Sequence, residues 1–217
     1  MSTLRRRLLL TSSALLGLLL AAGCTSAPGG SPAPTSSATD PGAERLGAIA
    51  PADPPAGRML GVGTVLDVAG DVQLCLGPIM ESYPPQCHGI PLDDWTWDGL
   101  DGNETSGDTR WGSYAVYGSY DGERIARTDE PIMLALFDPI APVDPTGGVE
   151  GKTSEADLTR IQDDLAARLG SDALGISVRE GYVWVDVAWD DGSWQQAADE
   201  EFGDGVVIVA SALREVD

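Results

Sequence analysis

The pattern of apolar and polar positions changes period three times along this chain, and each change marks a different kind of segment. Leu8–Ala22 is an apolar-to-small run preceded by Arg5, Arg6 and Arg7. At 15 residues it is shorter than the roughly 20 that a membrane span requires. Residues 24–57 then show no apolar face and are dominated by Ala, Pro, Gly, Ser and Thr, so nothing there offsets the entropy of ordering and they read as a disordered tether. From Gly61 the period is two. Gly61–Val68 and Val72–Leu76 read as strands joined at Ala69-Gly70-Asp71, and Trp111–Tyr120 reads as another. Asp121-Gly122 is a strong hairpin signal leading into Glu123–Thr128, and Ile132–Phe137 is an apolar run between Pro131 and Asp138-Pro139. Five or six short strands without a helix predict a small all-β barrel, OB-like or a sandwich, over residues 58–138.

Residues 139–152, PIAPVDPTGGVEGK, read as a linker. Beyond them the period becomes 3.6. Ser154 with Asp157 three residues later starts a helix, Leu158, Ile161, Leu165 and Leu169 line one face, and Gly170 stops it. Leu174–Val178 and Tyr182–Trp189 read as strands around Glu180-Gly181, with Tyr182 and Trp184 expected to pack under the helices. Ser193 caps a second helix that carries Trp194, Ala198 and Phe202, and Val206–Ala210 is a last, fully apolar strand. The order α-β-β-α-β over residues 153–217 predicts a small α+β domain. It is ferredoxin-like if Ile132–Phe137 or Pro142–Val149 adds one strand. The fold class is therefore α+β.

The N-terminal run now acquires a meaning. MSTLRRRLLLTSSALLGLLLAAGC has a positive start, an apolar middle and small residues before a cysteine. It resembles a bacterial lipoprotein signal. That resemblance implies removal of residues 1–23 and diacylation of Cys24, which becomes the new N-terminus on the outer face of the cell membrane. The arginine run partly matches a twin-arginine signal, but Leu4 stands where Ser or Thr is usual, and the general secretory route is favoured.

Charge and cysteine content narrow the partners. The whole chain carries a net charge of −21, and losing the three arginines of the signal takes this to −24. That excludes nucleic acid and disfavours docking on anionic headgroups, so acyl chains must do the anchoring. With Cys24 acylated, Cys75 and Cys87 are left to pair outside the cytoplasm as a disulfide. The stretch VQLCLGPIMESYPPQCHGIPLDDWTWDG, with its S-Y-P-P-Q-C core, and the later WGSYAVYGSYDG resemble a pattern in uncharacterised secreted proteins of GC-rich Gram-positive bacteria. That resemblance implies extracellular placement and the disulfide, and no catalytic residue.

The search for chemistry mostly excludes. His88 is the sole histidine, so neither a Ser-His-Asp triad nor a two-histidine metal site assembles, and Cys75, Cys87 and His88 lack a fourth ligand. TGGVEGKT lacks the first glycine and the preceding strand of a phosphate loop. Asp98, Asp101, Asn103 and Asp108 match a calcium loop in composition only. The sequence assigns no catalytic, cofactor or metal site, and the chain reads more as a binder than as an enzyme. Acid pairs at Asp93-Asp94, Asp163-Asp164 and Asp190-Asp191 keep a cell-wall hydrolase as an alternative, and a structural accessory of a membrane complex is another. The favoured reading is a lipid-anchored extracytoplasmic binding or interaction module. Tyr83, Trp95, Trp97, Asp98 and Asp101 are its candidate ligand residues, and the partner is a cell-wall glycan, a peptide or a protein.

Replacing Cys24 tests the anchor. Cys24→Ala is expected to move the protein from the membrane fraction to the soluble fraction, read by fractionation and immunoblot. A variant that stays in the membrane with its N-terminal segment intact identifies a span instead.

Overall fold

Arg58–Val68 forms β1, whose eleven residues need hydrogen-bond partners on two edges, and that requirement organises the first lobe. The structure, a computed structural model, describes residues 45–139, 141 and 143–216; the signal segment, Cys24 and the tether up to residue 44 lie outside them. β1 turns through Ala69 and Gly70, both with positive φ, into β2 (Asp71–Cys75). The Asp67 carboxylate accepts the Gly70 N–H at 2.8 Å and holds that turn. β3 (Ile79–Met80) and β4 (Gln86–Cys87) make a two-residue ribbon, stapled to β2 by the Cys75–Cys87 disulfide. β5 (Ile90–Asp93), β6 (Asn103–Ser106) and β7 (Thr109–Tyr120) follow, and the hairpin at Asp121-Gly122 leads into β8 (Ile125–Arg127).

Five of these strands close into a barrel, in the order β1-β2-β5-β8-β7 and back to β1. β5 and β8 run parallel, and the other barrel pairs are antiparallel. Met59, Val65, Leu74, Ile90, Leu92, Tyr114, Val116 and Ile125 fill it. At Gly63 a Cβ would run into the Cys75 carbonyl, so β1 can pass this close to β2 only with glycine there.

The Ile132–Phe137 run divides. Ile132–Met133 is β9, paired with β7, and Leu134–Leu136 is a 3-10 turn. Neither reaches the second sheet.

The second lobe keeps the expected order. α1 (Glu155–Leu169) is capped by Ser154, whose hydroxyl accepts the Asp157 N–H and donates to its carboxylate, and it buries Leu158, Ile161, Leu165 and Leu169. β10 (Gly175–Arg179) and β11 (Tyr182–Val187) are antiparallel; α2 (Ser193–Phe202) then leads to β12 (Val207–Ser211), parallel to β11. The sheet among the described residues has these three strands. Val183, Val185, Val187 and Val207 face the helices. Tyr182 and Trp184 therefore occupy the opposite face rather than packing under the helices, because side chains alternate along a strand. At α2 the capping groups also differ from expectation. Asp190 accepts from the backbone N–H of Trp194 and Gln195, Asp191 accepts from that of Ser193, and Ser193 is already helical.

Two segments tie the lobes together. β13 (Leu213–Val216) pairs with Arg58–Gly61 of β1, and its Leu213 is fully buried in the barrel core. At the other end, Leu46 falls inside the stretch that composition assigns to the tether, yet it is fully buried in the core beneath α1 and α2. Its backbone is held at both ends: Leu46 N–H donates to Glu201, and Arg168 donates to the Leu46 carbonyl. Order thus begins before Arg58. No described helix is long and apolar enough to cross a membrane.

Truncating Leu46 tests this. Leu46→Ala is expected to cost about 2–5 kcal/mol in denaturant unfolding, the range for a fully buried leucine. Val143→Ala, at a 92 % exposed position, is expected to change stability by no more than about 0.5 kcal/mol.

Candidate functional site

The five residues proposed from the sequence separate into two places. Asp94 takes a positive φ and ends β5 at Asp93, so Trp95 and Trp97 lie on a loop and not on one strand face. Their rings meet edge to face with centroids 5.2 Å apart, and both contact the buried ring of Tyr114. The Trp97 indole donates to Asp67 at 2.8 Å, and Arg110 lies 4.8 Å over its ring. Arg127 lies 5.8 Å from the Trp95 ring. The Asp101 carbonyl accepts the Tyr114 hydroxyl at 2.7 Å, while the Asp98 N–H is held by Thr96. The Asn103 side-chain oxygen is taken by Arg110. Both indoles are half-buried against the barrel core, and the Trp95 N–H, unlike that of Trp97, is buried without an acceptor among the described residues. Tyr83 stands elsewhere, 73 % exposed at the tip of the β3–β4 ribbon and edge-on to Trp111.

The acid pairs also have occupations. Asp93 binds Arg124 through both oxygens, Asp164 pairs with Arg168, and Asp190 with Asp191 caps α2. His88 lines a crevice of about 220 Å³ shared by the two lobes.

A larger cleft, of about 570 Å³, opens on the face of the second sheet that the helices leave bare. Trp184 and Asp186 of β11 with Arg179 of β10 form its floor, Val62 and Leu76 of the barrel form a wall, and Val143 and Pro145 stand at its rim. β13 creates this juxtaposition, because it draws the end of β12 onto β1.

Three features give the cleft chemical character. Trp184 is 9 % exposed, and its buried indole N–H meets no acceptor among the described residues. An unsatisfied buried donor costs about 1–3 kcal/mol. The Arg179 guanidinium lies 4.2 Å over the Trp184 ring and 3.8 Å from the Asp186 carboxylate. Burial pushes the Asp186 carboxyl above the ordinary carboxylate range, and Arg179 offsets part of that shift. The cleft thus presents one carboxyl, Asp186, and two cations, Arg179 and Arg214, beside an apolar wall. Asp186 is the only acid among its described lining residues, which therefore hold no carboxylate pair of the kind glycoside hydrolysis uses.

The signal for this site was present in the chain. On β11, Tyr182, Trp184 and Asp186 alternate with Val183, Val185 and Val187, and two apolar helices can cover only the valine face. Comparison of the chain with protein-family models, with curated proteins and with solved structures gave no match.

The Asp186 shift has a definite sign in stability. A carboxyl raised in the folded state binds its proton more tightly there than when unfolded, so its contribution is present at low pH and lost as pH rises through the raised value. Asp186→Asn is expected to gain stability relative to wild type between about pH 3 and pH 7, since ordinary carboxylates titrate near pH 4. Denaturant unfolding at a series of pH values measures it. A flat or falling difference means that Arg179 outweighs burial.

Proposed function

We propose that this chain is a lipid-anchored extracytoplasmic binding module that takes a small polar ligand in the cleft over Trp184. In this reading acylated Cys24 holds the protein on the outer face of the cell membrane, and the tether sets the folded part away from the bilayer. The observation that carries it is a carboxyl on the cleft floor, Asp186, that burial keeps above its usual range and that lies 3.8 Å from its nearest cation, Arg179. Asp186 then accepts from a ligand amide or hydroxyl, and Val62 and Leu76 cover its apolar part. Arg179 occupies a face of the Trp184 ring, which favours the peptide portion of a cell-wall fragment over a sugar stacked flat on the indole.

The finer fold reading supports a binding role without specifying a ligand. The barrel is OB-like in that its first strand closes against its fourth while its third and fifth run parallel. The second lobe keeps the ferredoxin-like α-β-β-α-β order with three strands. A hydrolase remains the alternative for a carboxylate pair elsewhere, and no observation favours it at this cleft.

Calorimetric titration of the purified protein with soluble disaccharide–peptide fragments of cell wall tests the reading. Binding is expected, and Asp186→Ala is expected to weaken it about tenfold, the value of roughly one hydrogen bond in a buried site. No heat of binding, or equal affinity in the variant, rejects the cleft as the site.

A further inference from the structure

The segment Ala50–Pro55 lies across the junction of the two lobes, and its contacts are those of a bound peptide. It forms neither helix nor strand. Two indoles hold it through its backbone: Trp194 donates to the Ala50 carbonyl and Trp189 to the Asp53 carbonyl, each at 3.2 Å. Both accepting residues precede a proline, Pro51 and Pro54. A residue before proline is confined to extended backbone, and proline itself fixes φ near −65°. The two carbonyls are three residues apart, and three residues make one turn of polyproline II, so they fall on the same side of such a strand. Pro51-Ala52-Asp53-Pro54 has the P-x-x-P spacing that aromatic-lined grooves take as an extended ligand. The donors are firmly set, since Trp194 belongs to the helical-lobe core and Trp189 packs on the barrel core.

The structure assigns to this groove a function as a binding site for proline-rich extended peptides, which the chain's own Ala50–Pro54 fills in cis. Charge specifies the competitor. Among the described residues the two crevices flanking the segment are lined by Glu123, Asp172 and Glu200, with His88 and no Lys or Arg, and the resident segment brings a further acid, Asp53. A ligand in trans that carries Lys or Arg at that position replaces repulsion by attraction. The resident segment is thus a latch that a basic proline-rich peptide displaces. Leu46 stays in its core as the latch's fixed end, and the latch competes at the millimolar effective concentration typical of a short connection.

The full chain, purified in detergent with its tryptophans fluorinated, tests the assignment by 19F NMR. The Trp189 and Trp194 resonances are assigned with Trp189→Phe and Trp194→Phe, and Trp95 reports that the barrel is intact. The probe is a synthetic peptide of residues 49–57 carrying Asp53→Lys. Both resonances are expected to shift with millimolar midpoint, and the midpoint is expected to fall about tenfold in the Pro51→Ala, Pro54→Ala chain, whose latch is weaker. Three outcomes overturn the assignment: no shift up to about 10 mM peptide, the range set by the latch itself; equal shifts from a peptide in which both prolines are alanine; or shifts that follow protein concentration without peptide, which identify exchange of the segment between two copies. If the double variant does not fold, wild type with the two peptides decides alone.

Discussion

β1 exposes eleven residues of backbone on two edges, and no single partner satisfies them. β7 runs along one edge from Met59 to Val68, but on the other β2 reaches only Thr64–Val68. The remaining half, Arg58–Gly61, is paired by β13 from the far end of the chain. An open strand half next to a buried core would leave donors unsatisfied and offer a template for aggregation. Closing it recruits Leu213 into the barrel core, so the barrel lacks a buried side chain until the second lobe is complete. The two lobes have separate cores but share one structural requirement.

Both candidate sites follow from that requirement. With β13 on β1, the end of β12 lies against the barrel, and the bare face of the three-stranded sheet is turned toward Val62 and Leu76. A sheet with helices on one side ordinarily leaves its other face to solvent or to a second layer. Here the barrel covers it incompletely, and the uncovered part is the cleft over Trp184. The residues before β1 must then run from the helical core, where Leu46 sits, to the start of β1, and this path carries Ala50–Pro54 across the lobe junction. Trp189 and Trp194 donate to its carbonyls there.

What the sequence disclosed follows the range of the interactions involved. α1 was legible to its caps, since Ser154, Asp157, the four apolar residues and Gly170 act within a few turns of one another. The barrel strands and the Asp121-Gly122 hairpin were legible from period two, and the disulfide from the count of cysteines. β13 was not, because Leu-Arg-Glu-Val has no pattern of its own and is a strand only by pairing with residues about 155 positions away. Leu46 was hidden for a related reason: one leucine in an Ala- and Pro-rich stretch has no periodicity, and its burial depends on Arg168 and Glu201. Trp95 and Trp97 were recognised as important, but the break in β5 at Asp94 decides what they face. They pack on the barrel core with Arg110 and Arg127 over their rings, whereas Trp184 lines the larger cleft.

The acidity of the chain gives the arginine placements added weight. A net charge of −21 works against compaction, and 13 Lys and Arg cannot neutralise 34 acids in pairs. Instead Arg58, Arg110, Arg127, Arg168 and Arg179 each lie within 4.2–5.8 Å of an aromatic ring. A guanidinium over a ring contributes most where water is excluded, and its flat face adds packing as well as charge. Arg110 and Arg127 use this to close over the Trp95–Trp97 pair, and Arg168 uses it on Phe202 while reaching Leu46 and Glu201. Arg179 does the same to Trp184, but on the floor of an open cleft and beside a carboxyl that burial makes reluctant to ionise. A cation there lowers the cost of ionising Asp186 without consuming both of its oxygens, since 3.8 Å is longer than a hydrogen bond. The carboxylate is thereby kept chargeable and incompletely paired, which is the condition in which it can accept a donor from a ligand.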